Sequence, residues 1–407
     1  MTAPLGKLLV VDDNDMNRDM LSRRLVRRGY IVETVSDGQL ALEAIANGKF
    51  DLILLDIMMP GLSGWTVLER IREEYSRLEL PVIMATSNHQ SEDVVRALQA
   101  GANDYVTKPF DFEVVLARVG THVILKLTHA QLTAANRKLK EDLASAAGVQ
   151  RIYLPPRSPE LRGCEVAWRY EPCEELGGDF LNVFELGENQ IGLYMLDVSG
   201  HGVPAALMSV AVSRALAPNP SDTCVVCRPD HPPNSDQLLV TPPSIVADKL
   251  NRQFPMNPRG SQYFTLIYGV LDCATGTFRY TSGGHPPNAY VPVGETPRLV
   301  RFSGGPPIGM FQADDGLFGP YLQSEIQLRQ GDRLYLYSDG IIEAANVEKE
   351  LFGSDRLLSH LGSQPGASLQ ETLDALWQAL SAWGGPERGL QDDVSLLALQ
   401  WNGPSAK

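Results

Sequence analysis

The sequence predicts an α/β domain with a five-stranded parallel sheet, a helical coiled-coil linker, and an α+β domain with two packed antiparallel sheets flanked by helices. Two observations support this fold class. The chain has 407 residues, enough for two or three domains that each have a core. Short apolar runs alternate with helix-like segments near the N-terminus, whereas strand-like runs follow one another with few helices between them in the C-terminal part.

The composition is that of an ordinary globular protein, with 43% hydrophobic and 21% charged residues. No apolar run approaches the roughly 18 residues of a membrane span, and Met1 to Lys7 lacks a secretory pattern, so we expect no membrane association and a cytoplasmic location. Five cysteines, an odd number, predict no disulfide framework. A net charge of −14 argues against nucleic acid as a partner.

Five short runs predict the strands of the first sheet: Lys7–Val11, Ile31–Val35, Leu52–Leu55, Pro81–Ala85 and Asp104–Val106. Helix-like segments separate these runs, which predicts a doubly wound parallel sheet. In such sheets, functional groups gather beyond the carboxyl ends of the strands.

Five polar residues directly follow predicted strands: Asp12, Asp13, Asp56, Thr86 and Lys108. Carboxylates held together repel one another unless a cation neutralises them, and oxygen ligands with vacant positions suit Mg²⁺. Each aspartate alone is more often a turn residue or a helix cap. All five in order favour a magnesium pocket with one exposed nucleophile.

These residues resemble the receiver domain of two-component response regulators. The matching motifs are LLVVDD, LLLDIMMPGLSG, VIMATS and DYVTKPF, within residues 5 to 125. The resemblance implies that a sensor histidine kinase phosphorylates Asp56 in a domain spanning residues 1–125. The implied Mg²⁺ ligands are Asp12, Asp13, Asp56 and the Met58 carbonyl. The implied residues of the phosphoryl site and the switch are Thr86, Tyr105 and Lys108.

A long polar helix is predicted over residues 118 to 150. Its heptad seam has Leu125, Leu132, Leu139 and Ala146 seven residues apart. We expect residues 126–150 to form a parallel dimeric coiled coil that carries a signal, and therefore a homodimer; the alternative is a helix that lies on a neighbouring domain. Prolines should end the helix before a new domain begins near residue 151: Pro155, Pro156 and Pro159.

Carboxylates also mark strand ends in the C-terminal part, where strands are predicted at Ile191–Leu196, Phe264–Leu271 and Arg333–Tyr337. The four acidic residues are Asp179, Asp197, Asp339 and Asp392. Without a local histidine pair or thiolate, they specify an oxygen-rich site for Mg²⁺ or Mn²⁺. Two such ions would activate a bridging water and offset charge on a phosphoryl group, which indicates phosphate monoester hydrolysis.

Residues 150 to 400 resemble the sporulation and stress branch of the metal-dependent protein phosphatase (PPM) family. The matching motifs are ELGGDF, MLDVSGHGVPAALMS, YFTLIYGVLD, YTSGGHPPN, GPPIGM, LYLYSDGIIEA and LQDDVSLLAL. The resemblance implies a phosphoserine or phosphothreonine protein phosphatase at residues 151–402 that uses two Mn²⁺ or Mg²⁺ ions. The implied ligands are Asp179, Asp197, the Val198 carbonyl, Asp339 and Asp392, with Asp393 as the alternative to Asp392.

The resemblance also implies a phosphorylated protein substrate, an anti-sigma-factor antagonist whose dephosphorylation releases a sigma factor. We expect phosphorylation of Asp56 to draw Thr86 inward, repack Tyr105 and reorder the linker helix against the phosphatase. His201 could be a general acid or a turn support. Many relatives have an aromatic-acid pair after GGDF, where this chain has Leu181 and Asn182.

Three alternatives accompany this interpretation. The proline-rich segment Pro218 to Pro243 is predicted to be a surface loop, and Cys224, Cys227 and His231 within it are a weak zinc pattern. The GGDF run resembles part of a diguanylate cyclase signature, but the later phosphatase motifs argue against a cyclase. The C-terminal domain could also be an inactive module that binds a phosphoprotein, although its four aspartates are intact.

Overall fold

The computed structural model describes residues 4–86, 91–156, 161–187, 189–218, 224–226, 239–256, 262–300, 304–311, 318–364, 366–385 and 391–404. The chain divides into two compact units, Met1–Leu139 and Lys140–Lys407. Of the helices in the described residues, none is both long enough and apolar enough to span a bilayer.

The N-terminal unit is a parallel five-stranded sheet with helices between consecutive strands. Its strands are β1 (Lys7–Val11), β2 (Ile31–Val35), β3 (Leu52–Asp56), β4 (Val82–Thr86) and β5 (Asp104–Thr107). Its helices are α1 (Asp15–Arg27), α2 (Gly38–Asn47), α3 (Gly64–Glu74), α4 (Ser91–Gln99) and the start of α5 (Phe112–Ile152). The strand order is β2-β1-β3-β4-β5, which confirms the predicted α/β class.

Apolar residues on both faces of this sheet build two layers of core. Leu9 and Ile53 pack towards α2 and α3, whereas Leu8 and Leu54 pack towards α1 and α5. Successive strand residues point to opposite faces, so a strand covered on both sides must be apolar throughout. The runs LLVV and LILL meet this requirement, which is why they identify the strands from the sequence.

Helix α5 begins at Phe112 and not near residue 118 as predicted. Its first turns are amphipathic, with a buried stripe of Val115, Val119 and Val123, and this stripe packs on the sheet. Beyond the stripe, the heptad leucines Leu132 and Leu139 are more than half exposed, at 59% and 57%. The pairing of these leucines in a coiled coil stays a prediction.

The C-terminal unit contains two antiparallel sheets. The first has β7 (Phe180–Glu185), β8 (Gln190–Val198), β9 (Phe264–Asp272), β10 (Thr277–Gly283) and β13 (Ser324–Gln327), in the order β13-β10-β9-β8-β7. The second has β6 (Cys164–Glu171), β11 (Ala289–Val291), β12 (Arg298–Leu299), β14 (Arg333–Tyr337) and β15 (Val394–Trp401), in the order β12-β11-β14-β15-β6.

The two sheets pack face to face and helices cover their outer faces. Leu193 of β8 and Leu397 of β15 belong to one buried cluster between the sheets. Helices α6 (Val203–Ala215) and α7 (Pro243–Gln253) cover the first sheet, and α9 (Gly353–Gly362) and α10 (Leu369–Gly384) cover the second. The short helix α8 (Asp339–Ile342) follows β14 directly. The predicted pair of packed antiparallel sheets with flanking helices is confirmed.

The predicted proline-rich loop is described only in part. Val225 and Val226 are buried against the first sheet and its helices, and α7 begins at Pro243. Cys227 and His231 lie outside the described residues, so the zinc pattern stays a hypothesis. The described cysteines, among them Cys224, carry free thiols.

Candidate active site

At the carboxyl ends of the parallel sheet in the N-terminal unit, a lysine lies against two buried carboxylates. Lys108 Nζ lies 2.6 Å from Asp56 Oδ2 and 2.7 Å from Asp12 Oδ2. Asp56 is 3% exposed and Asp12 is 1% exposed. Burial raises the pKa of Asp56, and the bonds from Lys108 oppose this rise. The ammonium is therefore the local cation that makes ionised Asp56 tolerable in a buried site.

A third carboxylate completes this cluster. Single ligand oxygens of Asp12, Asp13 and Asp56 all lie within 4.8 Å of one another, and Asp13 is exposed. Three carboxylates face one ammonium, which leaves an excess of negative charge at the pocket mouth. A hard divalent cation such as Mg²⁺ fits this donor set and charge.

The loop between β3 and α3 is held close to Asp56. Met58 N lies 3.4 Å from Asp56 Oδ1, and Gly64 N donates to Ile57 O at 3.0 Å. A Cβ added to Gly64 would lie 2.1 Å from the Asp56 carbonyl oxygen, so a glycine is required there. The loop therefore keeps the Met58 backbone close to Asp56, the predicted phosphoacceptor.

The predicted switch residues lie on neighbouring strands. Thr86 is buried at the end of β4, and its carbonyl accepts a hydrogen bond from Lys108 N at 2.8 Å. Tyr105 is half-buried in β5, with the Arg118 guanidinium 5.2 Å from its ring centroid. Thr86 thus lies beside the lysine of the pocket, and Tyr105 pairs with Met84, two residues before Thr86 in β4.

In the C-terminal unit, the four predicted metal ligands lie at strand ends of both sheets. Asp179 directly precedes β7 and Asp197 lies near the end of β8. Asp339 opens α8 after β14, and Asp392 lies two residues before β15. Antiparallel pairing brings these strand ends to one edge of the sandwich, where the carboxylates interact electrostatically.

Asp179 is the most buried of these carboxylates, at 1% exposure. Neither of its side-chain oxygens accepts a hydrogen bond of normal geometry, although the Ser338 and Ser395 hydroxyls lie near enough to favour its ionised form. Burial and then the charge of Asp197 raise the pKa of Asp179 well above its usual range. A buried carboxylate with unsatisfied oxygens stays ionised only beside a cation and otherwise holds a proton.

The other carboxylates show the same excess of negative charge. Burial, followed by the charges of Asp339 and Asp392, raises the pKa of Asp197 to about 7. Burial also raises the pKa values of Asp339 and Asp392, and each has an acidic neighbour that adds to the rise. This donor set fits divalent cations, since a cation removes the repulsion that opposes ionisation.

The C-terminal carboxylates are spaced more widely than those of the N-terminal unit. In the part of the chain that the structure describes, the cluster with three ligand oxygens within 4.8 Å of one another is that of Asp12, Asp13 and Asp56. The C-terminal carboxylates spread more widely, with Asp197 interacting with Asp179, Asp339 and Asp392.

Asp393 has a different environment from Asp392. Its Oδ2 accepts hydrogen bonds from Gly178 N at 2.6 Å and Asp179 N at 3.2 Å, and its Oδ1 accepts one from Cys173 N at 2.9 Å. Both oxygens are therefore engaged in positioning the loop that carries Asp179. This geometry favours Asp392 over Asp393 as the ligand.

His201 lies between two glycines with positive φ, Gly200 at 91° and Gly202 at 75°. Its side chain is 77% exposed, and its Nδ1 lies 3.1 Å from Glu174 Oε1. The charge of His201 lowers the pKa of Asp392, against a larger rise from burial. The histidine thus lies at the rim of the carboxylate cluster, and its role as a general acid stays a prediction.

Sequence reasoning missed Gln150, near the C-terminal end of α5. The side chain is 4% exposed, and its Nε2 donates to Gly177 O at 2.8 Å and to Ser209 Oγ at 3.2 Å. Gly177 precedes Asp179 by two residues, so the end of α5 is bonded to the loop that carries a predicted ligand. A single glutamine in a polar helix gives no signal of this contact in the sequence.

His285 was also missed, although it lies within the quoted YTSGGHPPN motif. Its Nδ1 lies 2.8 Å from Thr265 Oγ1, and Thr265 pairs with Asp197 across β8 and β9. Burial lowers the pKa of His285 to about 3, so its imidazole is neutral. It braces the strand opposite Asp197.

Comparisons with known proteins identify both units. Residues 8–120 match the family described as response regulator receiver domain, and residues 187–402 match the family described as Stage II sporulation protein E (SpoIIE). The transcriptional regulatory protein HprR of Escherichia coli K12 is 40% identical over 113 residues, 28% of this chain and 49% of HprR.

The transcriptional regulatory protein DltR of Streptococcus agalactiae serotype III is 41% identical over 131 residues, 32% of this chain and 56% of DltR. The chain thus spans about half the length of these curated relatives. Among solved structures, the SiaA-PP2C domain of Pseudomonas aeruginosa is 22% identical, with a TM-score of 0.52 over 66% of this chain and 98% of that one. This likeness establishes the fold.

The family match at residues 187–402 covers more than half of the 407-residue chain. It includes three of the four predicted ligands, Asp197, Asp339 and Asp392, together with both sheets apart from β6 and β7. The chain therefore belongs to the Stage II sporulation protein E (SpoIIE) family and carries a response regulator receiver domain ahead of its PP2C-type phosphatase domain.

Proposed function

We propose that this protein is a divalent-metal-dependent phosphoserine or phosphothreonine protein phosphatase whose turnover is controlled by phosphorylation of Asp56. The observation that carries the proposal is the buried Asp179 carboxylate, which has no hydrogen bond of normal geometry and lies beside Asp197. An ionised carboxylate buried in this way costs free energy without a bound cation, whereas in a metal centre it serves as a ligand. The proposed domains are residues 1–125, 126–150 and 151–402.

The residues that would hold the two Mn²⁺ or Mg²⁺ ions are Asp179, Asp197, the Val198 carbonyl, Asp339 and Asp392. Bound there, the ions would supply an activated water and offset the negative charge of the phosphoryl group. In the receiver, Mg²⁺ would be held by Asp12, Asp13, Asp56 and the Met58 carbonyl, and would offset charge as Asp56 accepts the phosphoryl group.

The protein's own residues position this chemistry. Asp393 fixes the amides of Gly178 and Asp179, and Ser338 Oγ donates to Asp393 O at 3.2 Å. Ser395 N donates in turn to Ser338 Oγ at 3.0 Å. This chain of bonds ties the loop before β7 to the starts of α8 and β15. We propose that His201, oriented by Glu174, donates a proton to the leaving alkoxide.

We propose that α5 transmits the receiver signal. Phosphorylation of Asp56 would draw Thr86 inward and repack Tyr105. A shift or rotation of α5 at Gln150 would then move Gly177, whose carbonyl accepts the Gln150 side-chain bond. Pairing of two chains through residues 126–150 would give α5 a defined register, and the exposed leucines of that segment support such pairing.

The proposed partners are a sensor histidine kinase that phosphorylates Asp56 and a phosphorylated anti-sigma-factor antagonist as the substrate. The receiver family match supports the kinase, and the resemblance of the catalytic motifs to the sporulation and stress branch supports the substrate class. Both proposals can be examined with purified proteins.

The test is hydrolysis of a phosphoserine protein and of 4-nitrophenyl phosphate with Mn²⁺, by the wild type, Asp197→Ala and Glu325→Gln. Glu325 is an exposed carboxylate on β13 and serves as the control. Loss of turnover in Asp197→Ala alone supports the phosphatase. A wild type that binds the phosphoprotein but hydrolyses neither substrate with any metal supports the inactive binding module instead.

Receiver control is tested in the same assay with beryllofluoride, an analogue of the acyl phosphate. The wild type should change its turnover, and Asp56→Ala should not respond. If beryllofluoride alters neither dimerisation nor turnover of the wild type, the proposed coupling between the receiver and the phosphatase is wrong.

A further inference from the structure

A groove of about 630 Å³ opens beside the carboxylates of the phosphatase domain. It runs between α8 and α10, and the residues that matter for its chemistry are Gly340, Glu343, Trp377, Leu380, Ser381 and Asp392. Gly340 follows the predicted ligand Asp339, and Asp392 is itself a predicted ligand. One end of the groove therefore adjoins the candidate metal centre.

The walls of the groove offer an apolar surface of fixed shape. Trp377, Leu380 and Val394 line it, and Val394 and Leu380 belong to the core between α10 and the second sheet. The Arg169 guanidinium lies 5.3 Å from the Trp377 ring centroid, and a hydrogen bond of 2.6 Å links Arg169 to Asp374 of the same helix. These contacts hold the indole in place as a preformed surface.

The charged side chains that line the groove are all acidic. Its charged lining residues, within the described part of the chain, are Glu171, Glu343 and Asp392. Arg169 pairs with Glu171 at 2.7 Å. Glu343 forms no ion pair among the described residues, and its backbone N–H donates to Asp339 O at 2.8 Å. The groove thus combines an apolar wall with an uncompensated carboxylate close to the centre.

We propose that this groove binds the segment of the protein substrate that flanks the phosphorylated residue. One apolar side chain would pack on Trp377, and one basic side chain would lie beside Glu343. This inference rests on the proposed function, because only a phosphoprotein substrate would carry such a segment into the groove. Contacts remote from the phosphoryl group supply binding energy that a small aryl phosphate lacks. The acidic lining and the apolar wall together select the chemistry of the segment.

The test compares two tryptophan substitutions on neighbouring, exposed positions of α10. Ser381→Trp places an indole in the groove, whereas Ala382 does not line it, so Ala382→Trp is the matched control. The substrates are 4-nitrophenyl phosphate and phosphoserine peptides flanked by either leucine and arginine or leucine and glutamate. Thermal unfolding of each variant checks that it is folded.

The wild type should prefer the arginine peptide to the glutamate peptide by about tenfold or more in kcat/KM. Ser381→Trp should lose about tenfold or more on the arginine peptide and keep its turnover of 4-nitrophenyl phosphate, and Ala382→Trp should change neither. Ser381→Lys should reduce the preference for the arginine peptide, because it adds a positive charge to the groove.

Equal rates of the wild type on the two peptides, or an equal loss by Ser381→Trp on peptide and aryl phosphate, would overturn the groove as the binding site. These outcomes leave the phosphatase proposal intact, since the wild type is active in both. A wild type that hydrolyses none of the three substrates with Mn²⁺ overturns the proposed function, and this inference falls with it.

Discussion

Replacing Asp197 by asparagine should affect stability and activity in opposite directions. The substitution is nearly isosteric and removes one negative charge from the carboxylate cluster. Without metal, the folded protein should become more stable at pH 8, because a buried and repelled charge is gone. With Mn²⁺, phosphatase turnover should be lost, because a predicted ligand of both ions is gone.

The size of the stabilisation follows from the pKa of Asp197. Burial and then the neighbouring carboxylates raise this pKa from 3.8 to about 7. A difference of about 3 pH units corresponds to about 4 kcal/mol, at about 1.4 kcal/mol per unit. Because the pKa is raised, the folded state holds a proton that the unfolded state has released between about pH 4 and pH 7. Stability of the metal-free wild type should therefore fall as the pH rises through this window.

Tryptophan fluorescence during unfolding is a suitable assay, because four of the five tryptophans lie in the C-terminal unit: Trp168, Trp377, Trp383 and Trp401. With EDTA at pH 8, Asp197→Asn should exceed the wild type by up to about 4 kcal/mol. The difference should shrink as the pH is lowered towards 4. Each kcal/mol moves the Tm of a domain of this size by about 2–4 °C. Glu325→Gln, on exposed β13, should match the wild type throughout.

Added Mn²⁺ should raise the stability of the wild type through binding to the folded state, and should raise that of Asp197→Asn much less. The reasoning is refuted if Asp197→Asn lowers the stability of the metal-free protein at pH 8. It is equally refuted if Mn²⁺ stabilises the variant as much as the wild type.

Three further substitutions have distinct expected outcomes. Asp393→Ala leaves three backbone amides without their acceptor, and turnover of 4-nitrophenyl phosphate at saturating Mn²⁺ should fall by about tenfold or more. Gln150→Leu breaks the hydrogen bond to Gly177, so beryllofluoride should no longer change turnover, whereas basal turnover should persist. If the variant still responds to beryllofluoride, the signal does not pass through Gln150. Lys108→Met removes the cation between Asp12 and Asp56, and autophosphorylation by acetyl phosphate should slow, as followed by phosphate-affinity electrophoresis.

Much of the fold was predictable because short apolar runs mark its strands, both those covered on two faces, such as β1 and β3, and the more exposed β2. Strands β1, β2 and β14 have the predicted bounds. The ends of β3 and β4 were predicted one residue early, because Asp56 and Thr86 are polar. The ladder nevertheless continues through them, with Asp56 paired to Ala85 and Thr86 to Thr107. Hydropathy marks burial, whereas a strand ends where its backbone pairing ends.

The carboxylates of both candidate sites could be listed from the sequence as predictions, because acidic residues at the ends of apolar strands are recognisable in the chain itself. The sequence could not distinguish two adjacent carboxylates by their surroundings. Asp392 and Asp393 are adjacent and chemically identical, and the choice between them depends on the amides of Cys173, Gly178 and Asp179. These donors come from a segment more than two hundred residues away along the chain, since the separation from Gly178 is 215.

By itself, the sequence determined the two fold classes, the order of the domains and the set of acidic residues. These properties depend on local periodicity and on motifs that are contiguous in the chain. Only the tertiary structure decided that Gln150 bonds to the loop of Asp179, that His285 braces the strand opposite Asp197, and that Trp377 lines an acidic groove. Each of these contacts joins segments distant in sequence, and a contact of that kind leaves no periodic or local signal because it depends on how the sheets and helices pack.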